Sequence, residues 1–278
     1  MNAAKITRES KSNLALAFVA LGRERRNDIT VFYAFCRVID DIADASEKSE
    51  NEKASGLKSW RTWIRQAGPG EPSLAGDVRG LYAKYAIRPP MLEEIIDGVE
   101  MDLGKVRYQT FEELRLYCYR VASAVGLVSI EIFGYRNAAT RDYAIELGLA
   151  LQMTNIIRDV GKDLENERIY LPQEDLARFG YSEGDLRARR HNDAFVRLME
   201  FEASRAEEFF SRAAALLPRE DRRAMVAAEI MASVYHALLR RMAADRFQVF
   251  DKEYRLSRIQ KSGRVAGQLL RLCLNARR

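Results

Sequence analysis

The sequence predicts an all-α protein in which residues 1–278 form one domain of about ten helices packed as a bundle. Apolar residues recur three and four positions apart through most of the chain, which is the spacing of helices with one buried face. Sustained alternation of apolar and polar residues is absent, and no repeat of fixed period is visible. Hydrophobic residues make up 47% of the chain, which is enough for a substantial core.

The limits of the predicted helices follow from caps and breakers. Ser10-Lys11-Ser12-Asn13 resembles a helix N-cap, and a turn is expected at 23–28 before the helix that carries 33–44. A polar stretch at 46–53 ends that helix, the Gly- and Pro-rich stretch 68–73 is a loop, and two prolines at 89–90 end another helix. The later helices are expected at 57–67, 78–86, 91–103, 111–133, 140–163, 173–190, 193–217, 219–246 and 257–274.

One long apolar segment, 111–133, contains small residues near its middle. Ala122, Ser123, Ala124 and Gly126 would let another group approach the backbone closely. A glycine inside a helix costs about 1 kcal/mol relative to alanine. A break in the helix or a contact with a ligand would explain these residues, and so would tight packing between helices.

The first candidate functional segment, 33–44, aligns acidic side chains on one helix face. At 3.6 residues per turn, Tyr33, Arg37, Asp40, Asp41 and Asp44 fall on one stripe. Like charges on adjacent turns repel by a few tenths of a kcal/mol per pair, so such a cluster usually has a cation to bind. The residues between the acids are apolar, which indicates a mostly buried helix and makes a solvated face a poor explanation.

The second candidate segment, 152–163, repeats this arrangement. Gln152, Asn155, Asp159 and Asp163 lie on one face, at steps of three, four and four residues. Neither stripe includes His or Cys, so the ligands would all be oxygen atoms, which favours Mg²⁺ or Mn²⁺. Mg²⁺ commonly takes one or two carboxylates plus substrate phosphates. Two stripes therefore indicate two bound diphosphates, or one diphosphate held from both sides. The remaining explanation for the buried carboxylates is that they form ion pairs with nearby arginines.

Charge and cysteine content restrict the partners and the compartment. The net charge is +5, yet residues 240–278 contain eleven Lys and Arg against three Asp and Glu. Such a basic region raises nucleic acid or an anionic membrane as a partner, and the lack of an aromatic-basic RNA signature disfavours nucleic acid. The cysteines at 36, 118 and 273 have neither zinc nor disulfide spacing, and the N-terminus carries no export signal. We therefore expect a cytoplasmic protein with reduced thiols.

Other functional classes find no support in the sequence. The apolar runs are broken short of the roughly 18 residues that a membrane span needs. The sequence contains no Ser-His-Asp set, P-loop or GxGxxG-helix signature. It therefore gives no support for a hydrolase, a P-loop nucleotide-binding protein or a Rossmann-fold protein.

Taken together, the motifs resemble the squalene/phytoene synthase family of head-to-head prenyltransferases over nearly the whole chain. They are Ser10-Lys-Ser12, Tyr33-x3-Arg37-x2-Asp40-Asp-x2-Asp44, Tyr117-Cys-Tyr119-Arg-Val-Ala, Gln152-x2-Asn155-x2-Arg158-Asp159-x3-Asp163 and Arg168-Ile-Tyr-Leu-Pro172. Residues 96–103 and 111–134 most resemble the bacterial presqualene diphosphate synthases of hopanoid biosynthesis. The resemblance implies a helical bundle of the isoprenoid synthase type with a central cavity.

The resemblance also implies a reaction and a set of site residues. Two farnesyl diphosphates would condense to presqualene diphosphate with release of diphosphate. Mg²⁺ would be held by Asp40, Asp44, Asn155, Asp159 and Asp163. Phosphate oxygens would be bound by Ser10, Ser12, Tyr33, Arg37, Gln152 and Asn155, and Tyr235 is assigned to the substrate by pattern. Tyr119 would steer the departing proton, which makes it a catalytic residue beside Arg37 and the four metal-binding aspartates.

Several alternatives remain open at the level of sequence. Synthesis of phytoene or dehydrosqualene shares the first half-reaction, and the depth of the cavity would distinguish C20 from C15 chains. Continuing to squalene would require NADPH, for which the sequence gives no decisive sign. A class I terpene cyclase fits the paired aspartate motifs less well. From another class, the chain could be a non-catalytic helical partner subunit, although both aspartate clusters are intact.

The two ends of the chain differ from the family pattern or match it ambiguously. Asn13 stands where relatives often carry an aromatic residue, and either Lys252 or Arg255 could supply the basic residue that many relatives use for diphosphate. The basic amphipathic segment 257–274 is either an ordinary last helix or one that rests on an anionic membrane.

Overall fold

The computed structural model describes residues 17–104 and 106–275, without the side chains of 258 and 271–275. In this part of the chain the α-helices are α1 (Arg23–Asp44), α2 (Glu50–Trp63), α3 (Ser73–Gly80), α4 (Pro89–Glu100), α5 (Phe111–Cys118), α6 (Ala124–Phe133), α7 (Ala139–Glu165), α8 (Gln173–Arg178), α9 (Glu183–Arg187), α10 (Asp193–Leu216), α11 (Val226–Ala244) and α12 (Arg258–Asn275). Short 3₁₀ turns occur at Phe18–Ala20, Leu81–Ala83 and Arg219–Asp221, and a π-helical turn at Tyr119–Ser123 joins α5 to α6.

The predicted all-α fold is confirmed. Within the described residues, β-structure is limited to an isolated bridge between Arg107 and Ile169. Helix α7 packs against α10, α6, α11, α5 and the π-helical turn, while α1 packs against α2, α3, α4 and α6. Helix α12 packs against α11. The two helices that carry the acidic stripes, α1 and α7, therefore lie inside one packed assembly.

Two glycines allow the segment after α5 to lie close to α7. A Cβ atom added to Gly148 would lie 2.5 Å from Ser123 Cα, and one added to Gly126 would lie 3.0 Å from the carbonyl oxygen of Ala144. Side chains at these positions would push α7 away from the π-helical turn and α6. The sequence offered a break, a ligand contact or tight packing as explanations for these small residues. The structure shows both a π-helical break and close helix packing.

Several predicted helix limits are wrong, each for a local reason. Helix α1 begins at Arg23, where a turn was expected. Helix α2 begins within the stretch expected to be polar coil, because Ser49 and Glu52 form a capping box. Gly180, at φ 63°, separates α8 from α9 within the single helix expected at 173–190. The helix expected at 219–246 begins only at Val226, after the 3₁₀ turn.

The expectation that no apolar segment reaches the length of a membrane span also needs correction. Among the described helices, Phe111–Phe133 spans 23 residues with a mean hydropathy of 1.4, which satisfies a criterion of length and composition for crossing a membrane. Half of its most apolar stretch is buried, and α4, α7 and the neighbouring helices pack around it. One such segment is weak evidence for a span, because core helices pass the same test.

Candidate active site

A polar cavity of about 270 Å³ lies between α1, α4, α5 and α7. Its walls combine carboxylates, arginines and tyrosines from these helices and from the chain that follows α7. The lining residues are Arg37, Asp40, Ala43, Asp44, Val99, Asp102, Tyr117, Gln152, Asn155, Ile156, Arg158, Asp159, Asp163, Arg168 and Tyr170. The two acidic stripes that the sequence singled out therefore face the same space.

Arginines pair with some of these carboxylates and not with others. Arg158 donates two hydrogen bonds to Asp159, at 2.8 and 2.5 Å. Arg168 donates to Asp44 Oδ1 at 3.0 Å and so connects the segment after α7 to α1. Arg37 pairs with Asp41, which does not line the cavity. Within the described residues, Asp40 and Asp163 form no ion pair.

The two unpaired carboxylates have raised pKa values. Burial, followed by the neighbouring Asp44 and Asp102 carboxylates, raises the pKa of Asp40 from 3.8 to about 7 against the opposing effect of Arg37. Burial and then the Asp159 carboxylate raise the pKa of Asp163 to about 7 as well. Ionisation of Asp40 and Asp163 therefore costs free energy, and a bound cation would reduce that cost.

Asn155 and Gln152 stand at the inner end of the polar cavity. The buried Oδ1 atom of Asn155 has no hydrogen-bond partner, while its Nδ2 donates to Gln152 Oε1 at 3.3 Å. A buried acceptor without a donor is costly, so this oxygen is suited to a ligand. The oxygen-only donor set and the unpaired carboxylates fit Mg²⁺.

The same oxygen atoms do not form a complete metal cage. Among the described residues, no group of three or more His, Cys, Asp or Glu side chains is arranged so that it could hold a metal ion. Mg²⁺ usually completes its octahedral shell with waters and substrate phosphates, so a few ligands from each helix are sufficient. The arrangement fits an ion that binds together with a phosphate group.

Sequence reasoning missed a hydrogen-bonded cluster on the cavity wall. Asp102 accepts from Tyr117 at 2.9 Å and from Tyr170 at 2.6 Å. Burial raises the pKa values of Asp102 and of both tyrosines. These residues belong to three segments that resemble the family, 96–103, 117–122 and 168–172, and tertiary packing alone brings them together.

An apolar cavity of about 190 Å³ lies next to the polar one. Gln152 and Asn155 line both cavities. The other lining residues are Phe18, Val121, Ala122, Val125, Gly126, Ser129, Ile130, Phe133, Tyr143, Ala144, Leu147, Gly148, Leu151, Ala227, Ala228, Met231 and Tyr235. The combination provides a charged compartment beside an apolar one.

The remaining predicted site residues are distributed unevenly. Tyr235 lines the apolar cavity, where burial raises its pKa against the effect of Arg158. Tyr33 packs edge-on against Phe18, with ring centroids 6.2 Å apart, and among the described side chains Tyr33 and Tyr119 line neither cavity. Tyr117, two residues before Tyr119, is the tyrosine of its motif that faces the polar cavity.

The last group of predicted residues comes from the two ends of the chain. Ser10, Ser12 and Asn13 lie outside the described residues. Lys252 pairs with Asp245, and Arg255 pairs with Glu253. Among the described residues, neither basic side chain lines the polar cavity.

The fold and the site together define an all-α protein of the isoprenoid synthase type. A crystal structure of a dehydrosqualene synthase superposes with a TM-score of 0.82 at 25% identity, covering 97% of this chain and 95% of that one. The squalene synthase HpnC from Alicyclobacillus acidocaldarius superposes with a TM-score of 0.79 at 26% identity, covering 88% and 93%. The sequence profile described as squalene/phytoene synthase matches residues 7–260.

The chain belongs to the squalene/phytoene synthase family, and this confirms the resemblance and the prenyltransferase class. The 15-cis-phytoene synthase of Synechococcus elongatus is 35% identical over 223 residues, or 75% of this chain and 72% of that protein. The phytoene synthase of Mycobacterium tuberculosis is 33% identical over 267 residues, or 95% and 88%. These relatives are named for phytoene, whereas the two solved structures are named for dehydrosqualene and squalene.

Proposed function

We propose that this protein is a Mg²⁺-dependent prenyltransferase that joins two farnesyl diphosphates head-to-head into presqualene diphosphate and releases diphosphate. The observation that supports the proposal is that a polar and an apolar cavity lie next to each other and share Gln152 and Asn155 as lining residues. A diphosphate needs the charged compartment and a prenyl chain needs the apolar one. Asp40 and Asp163, which lack an arginine partner among the described residues, are suited to the bound metal and phosphate.

The roles of the side chains follow from the chemistry of ionisation. The residues that would hold Mg²⁺ are Asp40, Asp44, Asn155, Asp159 and Asp163, and the bound ion would supply charge that neutralises the leaving diphosphate. Arg37 and Gln152 bind phosphate oxygens, with Ser10, Ser12, Tyr33 and Tyr235 as further proposed substrate contacts. The apolar wall excludes water from the allylic cation that forms. The family motif assigns the steering of the departing proton to Tyr119, and Tyr117, which lines the polar cavity, is our proposed alternative for that role.

A second candidate function is synthesis of phytoene from two geranylgeranyl diphosphates. The names of the curated relatives favour it, so it is about as well supported as the first candidate. Dehydrosqualene synthesis differs from the first candidate only after the cyclopropane has formed. The two chain lengths make different demands on the apolar cavity and the same demand on the polar one.

Product analysis tests these functions directly. The purified protein is incubated with farnesyl or geranylgeranyl diphosphate, with and without Mg²⁺ and NADPH, and the products are identified by mass spectrometry. Mg²⁺-dependent presqualene diphosphate from farnesyl diphosphate supports the first candidate, and a C40 product supports the second. Squalene that forms only with NADPH would extend the reaction. Absence of Mg²⁺-dependent diphosphate release from both substrates would support a non-catalytic subunit instead.

We also propose that α12 rests on an anionic membrane, so that a cytoplasmic protein is peripheral to the inner membrane face. Ile259 and Leu270 are 85% and 62% exposed, although they are large apolar side chains. The inward side of α12 packs on the protein, where Arg264 donates to Ser233 Oγ at 2.9 Å and Val265 packs against the core. An outward apolar stripe in a basic region matches an anionic lipid surface, and an apolar product would be delivered there.

Liposome co-sedimentation tests the membrane proposal. The variant Ile259→Ser/Leu270→Ser should lose binding to anionic vesicles, and removal of residues 257–278 should do the same in a protein that stays folded. Leu116→Ser is the matched control, because Leu116 is a 48% exposed leucine on α5. Equal binding by wild type and the double variant would overturn the proposal, and equal binding to neutral vesicles would remove the charge argument.

A further inference from the structure

The apolar cavity follows one face of α7 for several turns. Its α7 lining residues are 143, 144, 147, 148, 151, 152 and 155, which is the spacing of a continuous helical stripe. At 1.5 Å per residue, the stripe from Asn155 to Tyr143 is about 18 Å long. Tyr143 is therefore the α7 residue of this cavity that lies furthest from the diphosphate end.

Tyr143 is anchored by a polar contact inside an otherwise apolar wall. Its side chain is 1% exposed, and its hydroxyl donates to Glu229 Oε1 on α11 at 2.7 Å. Burial, and then the Glu229 carboxylate, raises the pKa of Tyr143 well above its usual range, so the hydroxyl remains a donor. A hydrogen bond to a carboxylate fixes a ring more firmly than packing alone.

Helix α11 contributes small side chains to the same region. Ala227 and Ala228 directly precede Glu229 in α11, and both line the cavity. The bulky aromatic side chains that α6 and α7 contribute there are Phe133 and Tyr143. Of these two, only Tyr143 has a hydroxyl, and this hydroxyl links α7 to α11.

We propose that Tyr143, held by Glu229, forms the end wall of the prenyl cavity and sets the longest prenyl chain that the enzyme accepts. This inference rests on the proposed function, because it assigns a specificity-determining residue to the same site. The wall acts on chain length and not on the chemistry, because it lies several turns from the carboxylates. It therefore affects selection among C15, C20 and C25 diphosphates and leaves metal binding unchanged.

Competition among farnesyl, geranylgeranyl and geranylfarnesyl diphosphates tests the inference. We expect Tyr143→Ala to shift the ratio of kcat/KM values toward the next longer chain by at least about tenfold, the scale on which apolar pockets discriminate chain length. Tyr143→Phe and Glu229→Ala should shift the ratio less and in the same direction, because each removes the anchor and keeps the ring. Glu229→Gln keeps an acceptor oxygen and should retain the wild-type ratio.

Tyr181→Phe is the matched control. Tyr181 is 2% exposed, its hydroxyl donates to the carbonyl oxygen of Arg190 at 2.8 Å, and it lines neither cavity. Loss of this hydroxyl should leave the chain-length ratio unchanged. If Tyr143→Ala does not fold, the two milder variants carry the test.

The outcomes separate the inference from the proposed function. Normal turnover with unchanged ratios in Tyr143→Ala, or in both milder variants if it does not fold, would overturn the inference and leave the proposed function intact. Failure of the wild type to turn over any of the three substrates would overturn the proposed function. In that case the inference is tested by calorimetric affinities for unreactive C15 and C20 thiodiphosphates. If Tyr143 forms the end wall, Tyr143→Ala should raise the affinity for the C20 analogue relative to that for the C15 analogue.

Discussion

Two groups of acidic side chains in this protein have opposite surroundings. Asp175 and Glu202 are 3% and 0% exposed, and Arg205 donates to both, at 3.0 and 2.7 Å. The guanidinium of Arg205 also lies over the ring of Phe111, 3.8 Å from its centroid. In the polar cavity, Asp40 and Asp163 have no such arginine among the described residues. The fold supplies an arginine to the first group and leaves the charge of the second group to a ligand.

The comparison shows which observation distinguishes a functional carboxylate from a structural one. Burial raises the pKa values of Asp40 and Asp163 to about 7 and the pKa of Glu202 to about 8, so a raised pKa does not separate the groups. The position of the arginine and the presence of open space do separate them. Changes in the two groups should therefore have opposite consequences for turnover and stability.

The largest expected effect is loss of turnover when the cavity carboxylates are neutralised. Asp40→Asn and Asp163→Asn should each lower turnover by at least about 10³-fold, because each removes a ligand for the cation that stabilises the leaving diphosphate. The melting temperature should stay the same or rise, because like-charge repulsion is relieved. Diphosphate release and thermal unfolding measure the two quantities. Glu202→Gln, which converts an acid of the other group into an amide, should keep turnover near the wild-type level.

Removal of the central arginine should have the converse effect. Arg205→Met leaves Asp175 and Glu202 buried without a cation, so we expect the free energy of unfolding to fall by about 3–5 kcal/mol. Denaturant unfolding measures this change. The triple variant Arg205→Met/Asp175→Asn/Glu202→Gln should recover part of the loss, because no buried charge remains. A loss below about 1 kcal/mol for Arg205→Met would show that the triad is not a buried ion cluster.

The cavity wall offers a comparison between neighbouring tyrosines. Tyr117 faces the polar cavity and donates to Asp102, whereas Tyr119 does not line it. We expect Tyr117→Phe to lower turnover by about 10²-fold if its hydroxyl handles a proton, and Tyr119→Phe to have little effect. Steady-state diphosphate release measures both. The reverse result would favour the role that the sequence motif assigned to Tyr119.

The tyrosine pair shows which features of the site could be predicted from the sequence. Helical spacing alone placed the acidic residues of α1 on one face and those of α7 on another, and all of these acids except Asp41 line the cavity. The motif 117–122 was recognised, but spacing within it could not decide which tyrosine faces inward, because the π-helical turn changes the register after Cys118. The partnership of Asp102 with Tyr170, or of Asp175 with Glu202, joins residues distant in sequence and depends on tertiary packing.

Ligand binding should stabilise the protein only when metal and phosphate are present together. The described residues contain no complete metal cage, so Mg²⁺ alone should shift the melting temperature little. Mg²⁺ with inorganic diphosphate at 100 times its Kd should add about 2.7 kcal/mol of stability. Thermal unfolding across a diphosphate titration measures this change. Asp163→Asn should abolish it, and an equal stabilisation by Mg²⁺ alone would indicate a preformed metal site.

A further expected effect is a pH dependence of stability that originates at Glu202. Burial, against the opposing effect of Arg205, raises the pKa of Glu202 from 4.5 to about 8, so the folded protein retains a proton that the unfolded chain releases. This contribution to stability is complete below pH 4.5 and is lost as the pH rises through 8, with a slope of at most about 1.4 kcal/mol per pH unit. Denaturant unfolding between pH 5 and 9 should show the stability of wild type falling relative to Glu202→Gln. Glu200→Gln, on the exposed face of the same helix, is the control, and its stability should have the same pH dependence as that of wild type. The same pH dependence in Glu202→Gln as in wild type would mean that Arg205 keeps Glu202 ionised.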